Sequence, residues 1–216
     1  MGRKAYRSEK ITVSFDLQRC IHARECVRGL PEVFDAEKRP WIQPDGAEPD
    51  SVTTVVLRCP SGALQFERED GVRETLPEEN VIAIAENGPL YARGDIEIKS
   101  PLGDTLFRET RVALCRCGAS QNKPFCDNTH KEIGFRHEGS LGENRLSSGG
   151  ATNGRMLRVV PTTNGPYLLR GEVEIRDAAG RSAYRGTKAL LCRCGRSENK
   201  PFCDGSHART GWRQDR

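Results

Sequence analysis

The chain lacks any apolar run approaching the roughly 18 residues that cross a bilayer. Its start, Met1 to Lys10, is polar and basic, without the apolar stretch of a secretory signal. These absences predict a soluble, uncleaved, cytoplasmic chain with no membrane attachment. Aromatic residues supply only 6% of the 216 positions, and hydrophobic residues 36% against 30% charged, which is little material for one large aliphatic core. Something besides aliphatic burial must help hold the molecule. Blocks of five or six like charges are also absent, because 34 basic and 30 acidic side chains are interspersed. A net charge of +4 without a basic aromatic stretch leaves no electrostatic footprint for nucleic acid.

What is present in excess is sulfur. Nine cysteines stand against four histidines, and an odd count argues against a disulfide framework. The cysteines fall into three triplets with none left over: Cys20, Cys26 and Cys59; Cys115, Cys117 and Cys126; Cys192, Cys194 and Cys203. Such spacing points to metal or redox chemistry in a reducing compartment.

A repeat organises the second part. Shifting the sequence by 77 residues aligns Asn87–Phe135 with Asn164–Trp212 without a gap, with 24 identities in 49 positions. Two copies at so long a period read as duplication of a small domain, not as a solenoid. Each copy opens on Asn-Gly-Pro and continues into a strand-like stretch, Leu90–Lys99 or Tyr167–Arg176. A turn at Gly103 or Gly180 and a second strand then lead to the first cysteine pair. Two short strands bury little alone, so the copies are expected to share or exchange strands as an intrachain pseudo-dimer. Gly71 and Pro77 in a charged stretch mark a boundary, and Ser-Ser-Gly-Gly with Asn-Gly marks a linker. The expected domains are 1–77, 78–137 and 155–216, with 138–154 as linker or long loop.

Each copy carries Cys-x-Cys-x8-Cys-x3-His: Cys115, Cys117, Cys126 and His130, then Cys192, Cys194, Cys203 and His207. Three thiolates and an imidazole suit either a structural zinc ion or an iron–sulfur cluster. Ser120 and Ser197 are expected to donate hydroxyl hydrogen bonds to sulfur, and Pro124 and Pro201 to stiffen the returning loop. Asp127 and Asp204 are expected to cap the short segment that follows, bonding the backbone N–H three residues on and so aiming the ligand histidine.

The run Cys192-Arg-Cys-Gly-Arg-Ser-Glu-Asn-Lys-Pro-Phe-Cys-Asp-Gly-Ser-His207 resembles the signature of the CDGSH iron–sulfur (mitoNEET-like) family. The first copy matches it at Cys115, Cys117, Ser120, Pro124, Cys126, Asp127 and His130, with Asn128 in place of the glycine. Asparagine is among the least costly replacements where glycine is left-handed, so the site is expected to persist. The resemblance covers about the last 130 residues of the chain. It implies two β-rich domains, each holding a redox-active 2Fe-2S cluster on three cysteines and one histidine.

The first triplet is different. Cys20-x5-Cys26 with a distant Cys59-Pro60 is similar to the bacterial ferredoxin run, but Ala23 stands where a middle cysteine would. Three thiolates suit a 3Fe-4S cluster, or a 4Fe-4S cluster whose fourth iron takes His22, water or another ligand. Residues 20–66 resemble the divergent single-cluster ferredoxin-like domain. Trp41 and Phe34 are read as packing its core, and His137 has no assigned role.

The expected fold class is therefore α+β: a small ferredoxin-like domain followed by two CDGSH domains packed as a pseudo-dimer within a monomer. Three clusters would bring the net charge from +4 to about zero. The expected activity is one-electron transfer between redox partner proteins. A cluster carrier for apo acceptors, or a pH or redox sensor, is the alternative, and a zinc-bound interaction module a third. No further base, nucleophile or substrate pocket is evident, so no enzyme is expected. A neutral imidazole ligand raises the potential of a cluster and can titrate with its redox state. The midpoint potential is thus expected to depend on pH and the clusters to be acid-labile, and a potential flat from mildly acid to mildly alkaline solution would refute this.

Overall fold

The computed structural model describes residues 2–145 and 155–214. Most of the expected linker, residues 146–154, lies outside the described residues, as do Met1, Asp215 and Arg216. The fold is mixed α+β, mostly strand with a few short helices. The chain forms two compact units, Met1–Thr75 and Leu76–Arg216. Among the described residues no helix is long and apolar enough to cross a membrane.

In the first unit, β1 (Lys4–Arg7), β2 (Ile11–Phe15) and β3 (Leu64–Arg68) form an antiparallel sheet with β2 in the middle. Ile11 and Val13 point inward while Thr12 and Ser14 stay partly exposed, the period-two alternation of a half-buried strand. Between β2 and β3 lie α1 (Glu25–Gly29) and α2 (Pro49–Leu57). Proline opens α2, where its missing N–H costs nothing. Val52, Val55 and Val56 bury one face of α2 against Phe34, Ile42 and Leu64. Trp41 stands edge-on to Phe15 at 4.8 Å and beside buried Phe34, so these aromatics do pack the core.

The second unit is a single six-stranded sheet built from both repeats. The first contributes β4 (Val81–Ile84), β5 (Leu90–Lys99) and β6 (Thr105–Leu114), and the short α3 (Thr129–Glu132). The second contributes β7 (Leu157–Pro161), β8 (Tyr167–Arg176) and β9 (Ser182–Leu191), and α4 (Ser206–Arg209). Within each repeat the strands pair antiparallel, β4 with β5 and β5 with β6, then β7 with β8 and β8 with β9. The repeats also exchange edges. β4 runs parallel to the far half of β8, placing Ile82 opposite Ile175, and β7 runs parallel to the far half of β5, placing Leu157 opposite Ile96.

This exchange needs each long strand to change partner midway. β5 and β8 shift register between Arg93 and Ile96 and between Arg170 and Val173, the places of Gly94 and Gly171. Both glycines have positive φ, 151° and 122°, and a Cβ on Gly94 would lie 2.1 Å from Asn80 Oδ1. Buried Asn80 fills the junction. Its Oδ1 accepts from Asp95 N–H at 2.9 Å, and its Nδ2 donates to the carbonyls of Glu172, at 2.9 Å, and Arg155. One side chain thus fastens β4, the bulge of β5 and the bulge of β8. Ile82, Ile96, Leu157, Leu169 and Ile175 fill one apolar core shared by both repeats.

Two buried carboxylates flank this core at equivalent positions. Glu97 is held below the usual carboxylate range by the Thr105 hydroxyl and by Lys99, Arg108 and Arg158. Glu174 is lowered to about 2 by Arg176, Ser182 and Arg185.

Replacing Asn80 with alanine strands Asp95 N–H and two carbonyls at the crossing. We expect the second unit to lose about 2–3 kcal/mol, read as an earlier denaturant midpoint with an unchanged slope in the metal-loaded protein.

Candidate metal centres

In the second unit, a ligand loop follows the second strand of each long hairpin, β5–β6 and β8–β9. After β6, Cys115 N–H bonds Pro124 O at 2.9 Å and Cys126 N–H bonds Ala113 O at 2.8 Å, so the loop folds back onto its own strand. Cys192 with Pro201, at 2.7 Å, and Cys203 with Leu190, at 2.8 Å, repeat this. The third cysteine is thereby returned beside the first. A short helix then carries the histidine, so that His130 and His207 stand four residues after Cys126 and Cys203.

The ligands meet in pairs. Cys115 and Cys117 sulfurs lie 3.8 Å apart, and those of Cys192 and Cys194 3.7 Å. Nδ1 of His130 is 3.4 Å from Cys126 Sγ, and Nδ1 of His207 is 3.4 Å from Cys203 Sγ. Two ligands on one tetrahedral metal, at bond lengths of about 2.3 Å to sulfur and 2.0 Å to nitrogen, stand about 3.8 Å apart for S–S and 3.5 Å for S–N. Each pair therefore fits one metal atom. Among the described residues no three or more Cys, His, Asp or Glu side chains gather closely enough to share a single ion. Each site thus presents its ligands as two pairs, Cys115–Cys117 with Cys126–His130 and Cys192–Cys194 with Cys203–His207.

The thiols differ in how readily they ionise. Cys117 is drawn down to about 7 by the Cys115 S–H and by backbone N–H groups of Ala119 and Ser120. Cys192 falls to about 6 through the Cys194 S–H and N–H groups of Ser197 and Gly195. Beside that charge, Cys115 and Cys194 hold their protons far more tightly. Burial pushes Cys126 up to about 11. Metal binding displaces these retained protons. Burial, with Lys131 and Arg116, also lowers His130, which keeps its ring neutral and able to ligate.

Several expected supporting roles differ in the structure. Ser120 and Ser197 donate to the carbonyls of Phe125 and Phe202, both at 2.7 Å, and not to sulfur. A loop carbonyl facing inward is the stronger acceptor, and each hydroxyl braces the loop from within. The N–H groups nearest sulfur are backbone ones: Asn128 to Cys126 and Gly205 to Cys203 at 3.5 Å, and Arg196 to Cys194 at 3.4 Å. Asp127 and Asp204 do not bond the histidine N–H. Asp127 accepts from Thr129 N–H at 3.0 Å and Gln121 N–H at 2.7 Å, and Asp204 from Ser206 at 2.9 Å and Glu198 at 3.0 Å. The next residue is left-handed, φ 75° at Asn128 and 85° at Gly205, so the carboxylate reaches the N–H two residues on. Each aspartate ties the helix start to the loop across the ligands. Despite burial, which opposes it, these bonds hold both carboxyls below their ordinary range. Asn128 takes the same backbone form as the glycine it replaces.

Three features were not read from the sequence. Arg116 and Arg193, the middle residues of the Cys-x-Cys pairs, are buried. Each donates to two carbonyls of the Asn-Gly-Pro turn region and stacks on an aromatic ring, Phe135 or Trp212. Identical arginines in both copies were the available signal. His137 is structural: its Nδ1 accepts from Arg116 at 3.1 Å and from Gly139 N–H at 3.0 Å. Finally, the two ligand loops touch. A Cβ on Gly118 would lie 2.4 Å from Cys194 O, and one on Gly195 2.3 Å from Cys117 O. Tyr167 Oη sits 2.9 Å from the carbonyls of Cys115 and Pro124, and Trp212 Nε1 donates to Gly118 O at 3.1 Å. Burial lowers Arg116 to about 10, opposed by the charges of Cys192 and Cys117, one from each site.

In the first unit, Cys20 follows a 3-10 turn, Leu17–Arg19, capped by Asp16. Cys26 lies on α1, and Cys59 follows α2. All three, with His22, line one cavity of about 770 Å³ walled by Tyr6 and Trp41. His22 and Arg24 both adopt positive φ, 51° and 65°, so the Cys20–Cys26 segment curls around the cavity mouth. His22 Nδ1 is 4.0 Å from Cys20 Sγ. Burial, with the neighbouring cysteine charges, pushes Cys26 up to about 11 and raises Cys20. Three thiols from three segments lining one roomy cavity make it a candidate metal site.

Thiolate-rich ligand sets in both units define an iron–sulfur-binding protein. Residues 87–131 and 164–208 each match the family described as an iron-binding zinc finger of CDGSH type. Residues 6–69 match the family described as a divergent 4Fe-4S mono-cluster. The first unit is similar to the uncharacterised protein YjdI of Escherichia coli strain K12, 42% identical over 65 residues covering 30% of this chain and 86% of the relative. YjdI of strain O157:H7 matches to the same extent. The chain belongs to the CDGSH iron-binding family, in tandem, with an N-terminal domain of the divergent 4Fe-4S mono-cluster family.

Replacing Asp204 with alanine frees Glu198 and Ser206 N–H groups and loosens the second loop. We expect the second site to lose metal affinity by about 10–100-fold while the first retains its metal, measured by metal per chain after graded chelation.

Proposed function

We propose that this protein transfers single electrons between protein partners through two 2Fe-2S clusters and one 3Fe-4S or 4Fe-4S cluster. Backbone contact of the two ligand loops carries this reading, because it puts the two Cys3His sites within close reach of each other. Iron–sulfur clusters supply a one-electron redox couple, and the residues tune it. Two ligand pairs per site favour a binuclear cluster. Backbone N–H groups directed at sulfur and a buried arginine beside both sites stabilise negative charge on the reduced form. The shared sheet acts as an intrachain pseudo-dimer that fixes the spacing of the sites. The first unit is read as ferredoxin-like, with His22 at the rim of its cavity as the candidate for a fourth iron. Nine free cysteines accord with a reducing, cytoplasmic setting.

A second reading, cluster delivery to an apo acceptor, draws on one asymmetry. Cys126 and His130 are buried, whereas Cys203 and His207 are partly exposed, so the second site is the more open to a competing ligand.

Anaerobic iron, sulfide and zinc quantitation with visible and EPR spectra tests the whole. About seven irons per chain, or about eight with 4Fe-4S in the first unit, are expected. Three zinc ions without acid-labile sulfide would overturn it. His207→Cys separates the two readings: delivery should slow sharply, whereas electron transfer should continue at a lower potential.

A further inference from the structure

The two repeats differ where the described residues of the first border a groove whose counterpart on the second is filled by the chain after His137. After His137 the chain runs across the second repeat. Gly139 is buried against Ala178 and Ile84: a Cβ there would lie 2.6 Å from Ala178 Cβ and 3.5 Å from Ile84 Cγ2. Gly139 O accepts from Ala178 N–H at 3.1 Å, and Leu141 packs onto the shared core. Gly142 N–H donates to Lys200 O at 2.7 Å, and Glu143 exchanges two backbone-to-side-chain bonds with Asn199, both at 2.8 Å. The segment is thus an extended Gly-Ser-Leu-Gly-Glu strip seated beside the second ligand loop.

The 77-residue shift carries Ala178 to Pro101, Ile84 to Pro161, Lys200 to Lys123 and His137 to Gln214. These four line a groove of about 370 Å³ on the first repeat. Gln214 meets Arg193 as His137 meets Arg116. Among the described residues no strip follows on into this groove. Larger aliphatic side chains surround it than the second repeat has: Leu106 lines it at 48% exposure, followed in the chain by Phe107, at 42%, and Leu102, at 93%, is next to Pro101. At the matching positions the second repeat has Ala183, Tyr184 and Ala179. The charge differs too. The groove wall holds Lys99, Lys123 and Arg193 and no acid, and Gln121 stands where the second repeat has Glu198.

We propose that this groove is a docking site for a partner protein that presents an extended acidic segment with one leucine between small residues, in the manner of Gly139–Glu143. The internal segment shows the shape and hydrogen bonding such an occupant takes, and a wall that carries cations and no carboxylate, although Lys99 also pairs with Glu97 behind it, favours an acidic one. Docking there sets the partner against the Ser120–Pro124 loop, which joins two ligands of the first site. The proposal rests on the protein surface and holds whichever cluster that site carries.

The test uses metal-loaded full-length protein and a fluorescein-labelled peptide with the sequence of residues 137–144, followed by anisotropy. Saturable binding is expected, weakened at least tenfold by Leu106→Asp and by aspartate at the leucine of the peptide, and weakened by salt. Unchanged metal content and melting temperature of Leu106→Asp, whose side chain is half exposed, would show that the fold is intact. Absence of saturation at millimolar peptide overturns the proposal. Binding indifferent to Leu106→Asp also overturns it, since the peptide would then be displacing the native strip from the second repeat. Self-association abolished by Leu106→Asp, without peptide binding, would overturn it in favour of a second copy.

Discussion

The second unit depends on one constraint: neither repeat can finish its own sheet. β4 and β7 are each only a few residues long, and each lies along its own hairpin and along the other's. Parallel pairing across repeats is what turns two marginal three-stranded pieces into one sheet with a common core. The register shifts at Gly94 and Gly171 permit it, because one long strand must present its edge to two neighbours in succession. The ligand loops follow from the same arrangement. They grow from the ends of β6 and β9, and they meet reciprocally, Gly118 against Cys194 and Gly195 against Cys117. Side chains larger than hydrogen at those two glycines would force the loops apart.

Chemistry at the sites is likewise set by backbone more than by side chains. The sulfurs receive N–H groups from the residues that turn away from them, and the aspartates and serines hold the loops in the shape that makes those N–H groups converge. Buried Arg116 and Arg193 anchor the middle of each Cys-x-Cys pair to the turn that opens its repeat. In the first unit a different device serves. Three cysteines from three separate segments face a single apolar-walled cavity, and two left-handed residues, His22 and Arg24, bend the chain between the first two.

Much of this was legible in the residues. The 77-residue period, the strands Leu90–Lys99 and Tyr167–Arg176, and the family signatures could be read directly, because cysteine spacing and strand alternation are local properties. The left-handed form of Asn128 was legible for the same reason. What escaped was non-local or depended on competition between acceptors. Nothing in the sequence ranks Phe125 O above a cysteine sulfur as partner for Ser120. Nothing there tells whether Asp127 reaches two residues on or three, since that turns on the φ of Asn128. His137 looked idle because Arg116, its partner, is 21 residues away. The exchange of β4 and β7 was expected only as a class of solution, and its parallel register comes from packing.

Linking the two repeats in one chain also changes how the assembly behaves on dilution. Two separate copies sharing a sheet would form at a rate and to an extent set by their concentration, and would come apart when scarce. Here the halves meet at the high local concentration that a covalent tether maintains. The partnership of β4 with β8 and β7 with β5 is therefore first-order, and both metal centres stay side by side even where the cell holds only a few copies.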